Sequence, residues 1–303
     1  MGKVVVVGSL NMDIVMKIKE MPSTGETVLA KETNYLYGGK GANQAVAAAR
    51  MGAEVKMVGA VGNDAFGTKL VAQLEKEAID TSGIIEKQDV PSGMAAVFKL
   101  PADNAIVVAD GANGKITVED IKKYKELIQE ADCLLVQLET PIAAVKKALQ
   151  LAKEADVYTI LNPAPFSEEA EELLAYADLI TPNETEFAQL LGCSEIEDSE
   201  LEQKMIKWTE QYDSQLVLTL GKEGVAYIEQ GKLVKIPSRQ VKAEDTTGAG
   251  DTFNGILAQM LSEKAALREA IQIANIGASI AVQKVGAQTG MPTAQEVLEV
   301  KNK

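Results

Sequence analysis

The stretch Asp245-Thr246-Thr247-Gly248-Ala249-Gly250-Asp251 holds the residues of this chain best suited to chemistry. It follows a strand expected at Lys232–Pro237 and opens a small-residue, apolar segment, Thr252–Leu261, that reads as a buried helix. A Gly-Ala-Gly start leaves the first backbone N–H groups of a helix bare, and at the positive end of the helix dipole such donors make an anion site. A carboxylate in that turn would repel a bound phosphate, so Asp251 is an odd occupant. A base beside an oxyanion trap suits a group that loses a proton while negative charge develops, and phosphoryl transfer to a hydroxyl is such a reaction. In that reading Gly248, Ala249, Gly250 and Asp251 supply the anion hole and Asp251 the base. A tight turn followed by a favourable first-turn acid would explain the same residues without chemistry.

Other polar residues collect where apolar runs end. Asn11, Met12 and Asp13 follow Val4–Val7 and Gly8, and an Asn and an Asp at that spacing suit a polyhydroxylated ligand. Gly38-Gly39-Lys40-Gly41-Ala42-Asn43-Gln44 lacks the Walker A spacing, which leaves a backbone able to approach a ligand closely and Asn43 projecting from a first helical turn. Glu139 ends the run Cys133–Leu138, Asn162 follows Val157–Leu161, and Thr181-Pro182-Asn183-Glu184-Thr185-Glu186 follows the next run. Polar groups at several strand ends line a common crevice in open α/β sheets. Asn183 and Glu186 suit magnesium-bound water, or else simply cap a helix. Thr219-Leu220-Gly221-Lys222-Glu223-Gly224 is a turn that could border a purine. Asn275, inside the apolar segment Ala265–Val282, needs a partner, for which adenine is one candidate.

The elements that must position these groups alternate. Strands are expected at Lys3–Val7, Val55–Val61, Cys133–Gln137, Val157–Leu161, Leu179–Thr181 and Leu216–Thr219. Helices are expected at Ala42–Met51, Ala65–Ala78, Val118–Ala131, Pro141–Ala155, Glu168–Ala175 and Glu184–Leu191, with Thr140 and Thr117 as their caps at Pro141 and Val118. Continuous apolar strands between helices predict an α/β fold with a parallel sheet covered on both faces. Two stretches break the rhythm. Residues 14–37 (Lys17-Ile18-Lys19, Glu26–Ala30, Lys31–Tyr37) and 91–110 (Ser92–Leu100, a turn at Pro101-Ala102-Asp103-Asn104, Ala105–Ala109) alternate in polarity without helices. They predict a small β-sheet lid, with an outer face suited to a homodimer contact. The body is then 1–13, 38–90 and 111–303.

Composition narrows the class. The 303 residues are 46% hydrophobic but only 4% aromatic, so the core is built from Ala, Val, Ile and Leu. A net charge of −14 argues against nucleic acid or an anionic membrane as partner. The absence of histidine excludes Ser-His-Asp and Cys-His devices and His-ligated zinc. Cys133 and Cys193 read as core thiols of a reducing compartment, and no run approaches a membrane span, so a cytosolic protein is expected.

With Asn11-Met12-Asp13, Gly38–Asn43, Asn183-x-x-Glu186 and Asp245–Asp251 assembled, the chain resembles the ribokinase-like (PfkB) carbohydrate kinase superfamily from Lys3 to about Pro292. The Gly-Gly-Lys-Gly-Ala-Asn-Gln run and the Asn-Met-Asp opening point to its ribokinase branch. The resemblance implies a three-layer sandwich around a mostly parallel sheet with a small β lid, and ATP-dependent phosphorylation of D-ribose at O5. It implies that Asn11, Met12, Asp13, Gly39, Lys40, Gly41, Ala42, Asn43 and Glu139 hold the pentose and that Asp251 is the base. Asn183, Glu186, Thr219, Leu220, Gly221, Lys222, Glu223, Gly224, Gly250, Asp251 and Asn275 fall to ATP and its magnesium. Asp245, Thr247, Ala281, Lys284, Gly286 and Gly290 fall to an activating potassium ion. The family often has Arg and Ser where Lys284 and Gly290 stand, so a hydroxyl ligand is lost at Gly290 while carbonyl ligands survive. A deoxyribose or fructose kinase of the same superfamily, and a non-catalytic sugar sensor, are the rival readings.

Overall fold

A computed structural model describes residues 1–100 and 104–302. The chain begins with β1 (Lys3–Val7), β2 (Asn11–Lys17), β3 (Glu32–Gly38), α1 (Lys40–Arg50), β4 (Glu54–Gly62), α2 (Ala65–Lys76) and β5 (Asp80–Lys87). Next come β6 (Gly93–Lys99), β7 (Asn104–Ala109), α3 (Val118–Lys123), α4 (Lys125–Gln129), β8 (Cys133–Val136), α5 (Ile142–Lys153) and β9 (Tyr158–Leu161). Then follow β10 (Leu179–Ile180), α6 (Glu184–Leu190), α7 (Asp198–Gln211), β11 (Gln215–Thr219), β12 (Val225–Glu229) and β13 (Lys232–Ile236). The last elements are α8 (Ala249–Ser262), α9 (Leu267–Ala281), α10 (Ala287–Gly290) and α11 (Ala294–Lys301).

Strand β1 shows why the body is layered. Its valines are all buried, and it pairs in parallel with β4 on one side and β8 on the other. Successive side chains of a strand point to opposite faces, so a four-valine run must be covered twice. Val4 and Val6 enter a core with α1, α8 and α9, while Val5 and Val7 enter a second core with α5 and α7. The sheet order is β13-β12-β11-β10-β9-β8-β1-β4-β5, parallel from β11 to β5 and closed by the antiparallel β12 and β13. A helix layer on each face of a mostly parallel sheet makes a three-layer α/β sandwich.

The second sheet has the order β3-β2-β6-β7, with β2 and β6 parallel at its centre. It starts three residues earlier than the break in polarity predicts, because Asn11–Asp13 already pair with Gly38–Leu36 and Gly93–Ala95. Ile18–Lys19 and Glu26–Ala30, expected as strand, are not strand. β2 stops at Lys17, and the exposed segment 26–30 has no ladder partner. Residues 101–103 of the expected turn lie outside the described ones. The predicted helix Val118–Ala131 breaks at Tyr124 into α3 and α4, and Glu168–Tyr176 winds as tighter 3₁₀ turns. β5, α7 and α11 lie outside the expected elements. Thr117 closes the predicted capping box with Asp120, but Pro141 occupies the cap of α5 and Thr140 caps nothing. Cys133 is buried, which pushes its thiol up, while Cys193 is only half-buried at a helix end. Among the described residues no helix is long and apolar enough to cross a membrane.

Candidate active site

Two helix N-termini meet at the carboxyl edge of the body sheet. Helix α8 starts from Gly248, whose left-handed backbone (φ 78°, ψ 4°) turns the chain out of the loop and into the helix. A Cβ there would lie 2.8 Å from Cβ of Ala287 and 2.9 Å from its Cα, so both conformation and space call for glycine. Helix α1 starts from Gly39 and crosses α8 where Gly255 lies against the backbone of Gln44 and the side chain of Ala47. This close crossing brings Asn43 and Gln44 onto Asp251. Asn43 Nδ2 donates to Asp251 Oδ2 at 2.9 Å and Gln44 Nε2 donates to Asp251 Oδ1 at 3.0 Å.

The first turn of α8 leaves backbone donors bare, as its Gly-Ala-Gly start predicts. Among the described residues, the N–H groups of Gly250 and Asp251 meet no backbone or side-chain acceptor, whereas Ala249 N–H reaches Thr246 O at 3.3 Å. A Cβ at Gly250 would touch nothing within 4 Å, so that position opens into free space. The space is a cavity of about 330 Å³ lined by Lys40, Asn183, Glu186, Thr219, Gly221, Gly224, Gly248–Asp251 and Asn275. A second cavity, about 620 Å³, is lined by Asn11, Asp110, Asn113, Glu139 and Thr140. Lys40 N–H donates to Glu139 Oε2 at 3.0 Å, so the start of α1 stands between the two.

The charges are crowded. Burial, then the neighbouring Glu139 and Asp251 carboxylates, pushes Asp13 up from 3.8 to about 7. Burial works to lower the Lys40 ammonium, yet Asp251, Glu139 and Glu186 together hold it above its ordinary value. Burial raises Glu186 despite the N–H of Asn183 and the charge of Lys40. One cation among four acids suits an anionic ligand only if backbone donors and accompanying metal share its charge.

Not every expected residue faces a cavity. Met12 alternates away from Asn11 and Asp13 into the core, and Ala42 is buried behind the helix start. Gly41 packs on Gly8, and Gly39 on the backbone of Ser9–Asn11. In the turn after β11, Leu220 is buried while Lys222 and Glu223 are exposed and line neither cavity. Asn183 and Glu186 do form a reciprocal capping box, which leaves both lining the first cavity. Asn275 has its partner within the chain, donating to Pro237 O at 3.0 Å, and so does not wait for a base.

The loops expected to hold a monovalent cation adjoin one another. Glu244 and Asp245 N–H both donate to Val282 O, Lys284 N–H donates to Ala281 O, and Gly286 N–H donates to Asp245 Oδ2. A Cβ on Gly290 would stand 2.7 Å from Ala281 O. The Asp245 carboxylate is spent on Thr247, Gly286 and Lys99, so carbonyl oxygens are the donors these loops can offer. Among the described residues no cluster of three or more His, Cys, Asp or Glu side chains is placed to hold a metal. A cation held by these loops would be ligated mainly by carbonyl oxygens, and magnesium would arrive with phosphates.

Several contributors carry no motif of their own. Ser9 Oγ donates to Glu139, and Asn113 fixes Leu10 through both backbone groups while donating to Asn11 Oδ1 at 2.8 Å. That last bond turns the Asn11 amide N–H groups outward as donors. Gln137, Asn162 and Gln288 sit behind Gln44 and Asn43. Asn162 carried the strand-end signal, whereas Ser9, Asn113, Gln137 and Gln288 are placed only by tertiary contacts.

A three-layer α/β body, a second four-stranded sheet and bare helix-N-terminal N–H donors beside a buried aspartate fit a carbohydrate-kinase class of protein. The sequence matches the pfkB family carbohydrate kinase profile over residues 1–294. It is 40% identical to a ribokinase of Haemophilus influenzae (97% of this chain, 96% of that one) and 40% identical to a ribokinase of Bacillus subtilis (99% of each). The structure of an Arabidopsis thaliana ribokinase complexed with ribose and ATP superposes with a TM-score of 0.90 at 32% identity, covering 99% of this chain and 98% of that one. The chain belongs to the pfkB family of carbohydrate kinases.

Proposed function

We propose that the protein is a ribokinase, transferring the γ-phosphoryl group of ATP to the 5-hydroxyl of D-ribose. The observation that carries this reading is Asp251, gripped by Asn43 and Gln44 in the first turn of α8 on the wall of the first cavity, with the start of α1 separating it from the second. The 330 Å³ cavity takes ATP, with its phosphates toward Gly248–Asp251, and Asn183, Glu186 and Asn275 along its walls. The second cavity takes the pentose. Asn11 donates to it, while Asp13 and Glu139 accept from its hydroxyls. Asp251 accepts the hydroxyl proton, and the free N–H groups of Gly250 and Asp251 receive the charge that develops on the transferred group. Magnesium, carried in on the phosphates beside Asn183 and Glu186, neutralises phosphate charge when bound.

The carbonyls of Asp245, Thr247, Ala281, Lys284, Gly286 and Gly290 would hold potassium, whose charge supports the adjoining helix start. The lid over residues 14–37 and 91–110, extended back to Asn11, closes over the sugar. Tyr35 and Val107, 60% and 62% exposed, are brought by the register of the small sheet onto one face, on the side away from Val108 and the second cavity. They give that face an apolar surface that fits a second copy of the chain. Free cysteines fit a cytosolic protein.

ADP release measured on a panel of ribose, deoxyribose, fructose and a nucleoside, with and without potassium, tests the reading. Preference for ribose supports it. Turnover confined to another acceptor, or none on any, overturns it.

A further inference from the structure

We propose that Gln44 and Gln137 are positioning residues that aim the carboxylate of Asp251, acting in series as one relay of hydrogen-bond donors. The proposal rests on Asp251 being the base, and it asks what holds that base.

The relay is directional. Gln137 Nε2 donates to Gln44 Oε1 at 2.7 Å. With its oxygen committed, Gln44 presents Nε2 forward, where it donates to Asp251 Oδ1 and to Asn162 Oδ1, both at 3.0 Å. Asn162 cannot turn over, because its own Nδ2 donates to Thr181 O at 3.0 Å. Gln44 is thus oriented by Asn162 and by the carboxylate it meets, and Gln137, whose own Oε1 has no partner among the described residues, completes the relay by donating to the Gln44 oxygen. A second arm repeats the logic: Gln288 Nε2 donates to Asn43 Oδ1 at 3.2 Å, and Asn43 Nδ2 to Asp251 Oδ2. One donor on each carboxylate oxygen fixes the plane of Asp251.

Burial makes the arrangement informative. Gln44 and Gln137 are both 0% exposed, and an amide without solvent must keep its partners or lose stability. Gln137 follows β8, whose apolar residues pack on both sheet faces, so an aliphatic side chain would suit the site for packing alone. The amide there adds direction to Gln44. A carboxylate fixed in plane needs no reorganisation when the proton moves, which places the effect on kcat and leaves ground-state binding alone.

Gln44→Met, Gln137→Met and the double variant test this in the full-length chain. All remove donors while keeping volume and net charge, so Asp13, Lys40 and Glu186 keep their fields on Asp251. Turnover is measured on the sugar the wild type phosphorylates, per site that binds ADP by calorimetry, which removes unfolded protein from the comparison. For Gln44→Met, kcat should fall about 10–100-fold with both KM values within about 2-fold. Gln137→Met should lose about 10-fold alone and nothing further in the Gln44→Met background, because it acts through Gln44. Unchanged kcat in Gln44→Met, or losses that multiply in the double variant, would overturn the relay.

If Gln44→Met does not fold, Gln137→Glu against Gln137→Met decides. An ionised carboxylate at that position only accepts, so it opposes the Gln44 Oε1 and favours turning that amide round toward Asp251; the comparison is made at a pH where the buried Glu is ionised. The loss must then exceed that of Gln137→Met, and equal losses overturn the proposal. Asp251→Asn on the same sugar separates the two levels of argument. Retained turnover there ends the base assignment and the relay with it; lost turnover there beside an unaffected Gln44→Met ends the relay only.

Discussion

The Lys99 ammonium, at the end of strand β6, stands 3.1 Å from Oδ2 of Asp245, the residue that opens the anion-hole loop. A strand of the small sheet is thereby pinned to the body three residues before Gly248. Asp245 is half-buried, which disfavours its charge, but hydrogen bonds from Thr247 and Gly286 and the Lys99 ammonium hold it below its ordinary value. A carboxylate depressed in the folded state contributes stability above its unfolded value, and that contribution fades as pH falls through the folded one. Lys99→Ala is expected to destabilise by about 1 kcal/mol at pH 7, since Lys99 itself is a third exposed. Thermal melts should show the difference at neutral pH and lose it in acid. A difference that persists in acid would assign the effect to lost packing.

Asp251→Asn keeps the shape of the site and one of the two amide contacts, because its new NH2 faces a donor, and it removes the base. The expected loss in kcat is ~10²–10⁴, with ATP binding retained in calorimetry. Near-normal turnover would remove Asp251 from the mechanism.

Asp13 stands with its carboxyl pushed up to about 7 by burial and two neighbouring acids. Only its ionised form accepts from two hydroxyls at once, so ribose KM should fall as pH rises from about 6 to 8. Stability runs the opposite way. A raised folded value means that the native state gains stability at low pH and loses it as pH rises through about 7. Asp13→Asn should therefore melt several degrees higher than wild type at pH 8 and equal to it near pH 4, while binding ribose poorly. A variant that is less stable at pH 8 would contradict the charge argument.

Gly248→Ala meets two obstacles, the left-handed backbone and the contact with Ala287. About 1–3 kcal/mol of destabilisation is expected, together with lost turnover as the N–H groups swing off the phosphate. Gly250→Ala meets open space and tolerable backbone angles, so it should fold normally and impair ATP-dependent turnover through bulk in the cavity. Equal melting temperatures for the two variants would overturn the comparison.

Glu139 receives Ser9 Oγ and Lys40 N–H while facing the larger cavity. Glu139→Ala should raise sugar KM with a smaller effect on kcat, and steady-state kinetics over a ribose series checks it. A pure kcat effect would move Glu139 from binding to chemistry.

Much of the architecture was legible because single residues imposed it. Val4–Val7 have no polar position, so β1 had to be central and covered on both faces, and the Gly-Ala-Gly-Asp turn had to open a helix. The failures have equally local causes. Asp80–Lys87 is a half-exposed edge strand whose Asp-Thr-Ser-Gly start reads as loop, and it is strand because β4 supplies the ladder. Asn275 looked like an orphan within its helix, but the end of β13 lies beside it in space. Lys222 and Glu223 share a turn with Gly221 and Gly224 yet face solvent, since neighbours in a tight turn point different ways.

By itself the sequence determined which groups are available: one aspartate in a helix first turn, bare N–H donors beside it, amides and acids after strand ends, and no histidine to compete as base. These are properties of residue type and local spacing, which short-range physics settles. Only the tertiary structure decided which of them meet. Asn43 and Gln44 reach Asp251 across more than two hundred residues because Gly255 lets α1 and α8 cross closely. Gln137, Asn113 and Lys99 gained their contacts from strand order and from the placement of the small sheet. Contacts of that separation are set by packing between layers, and no window along the chain contains both partners.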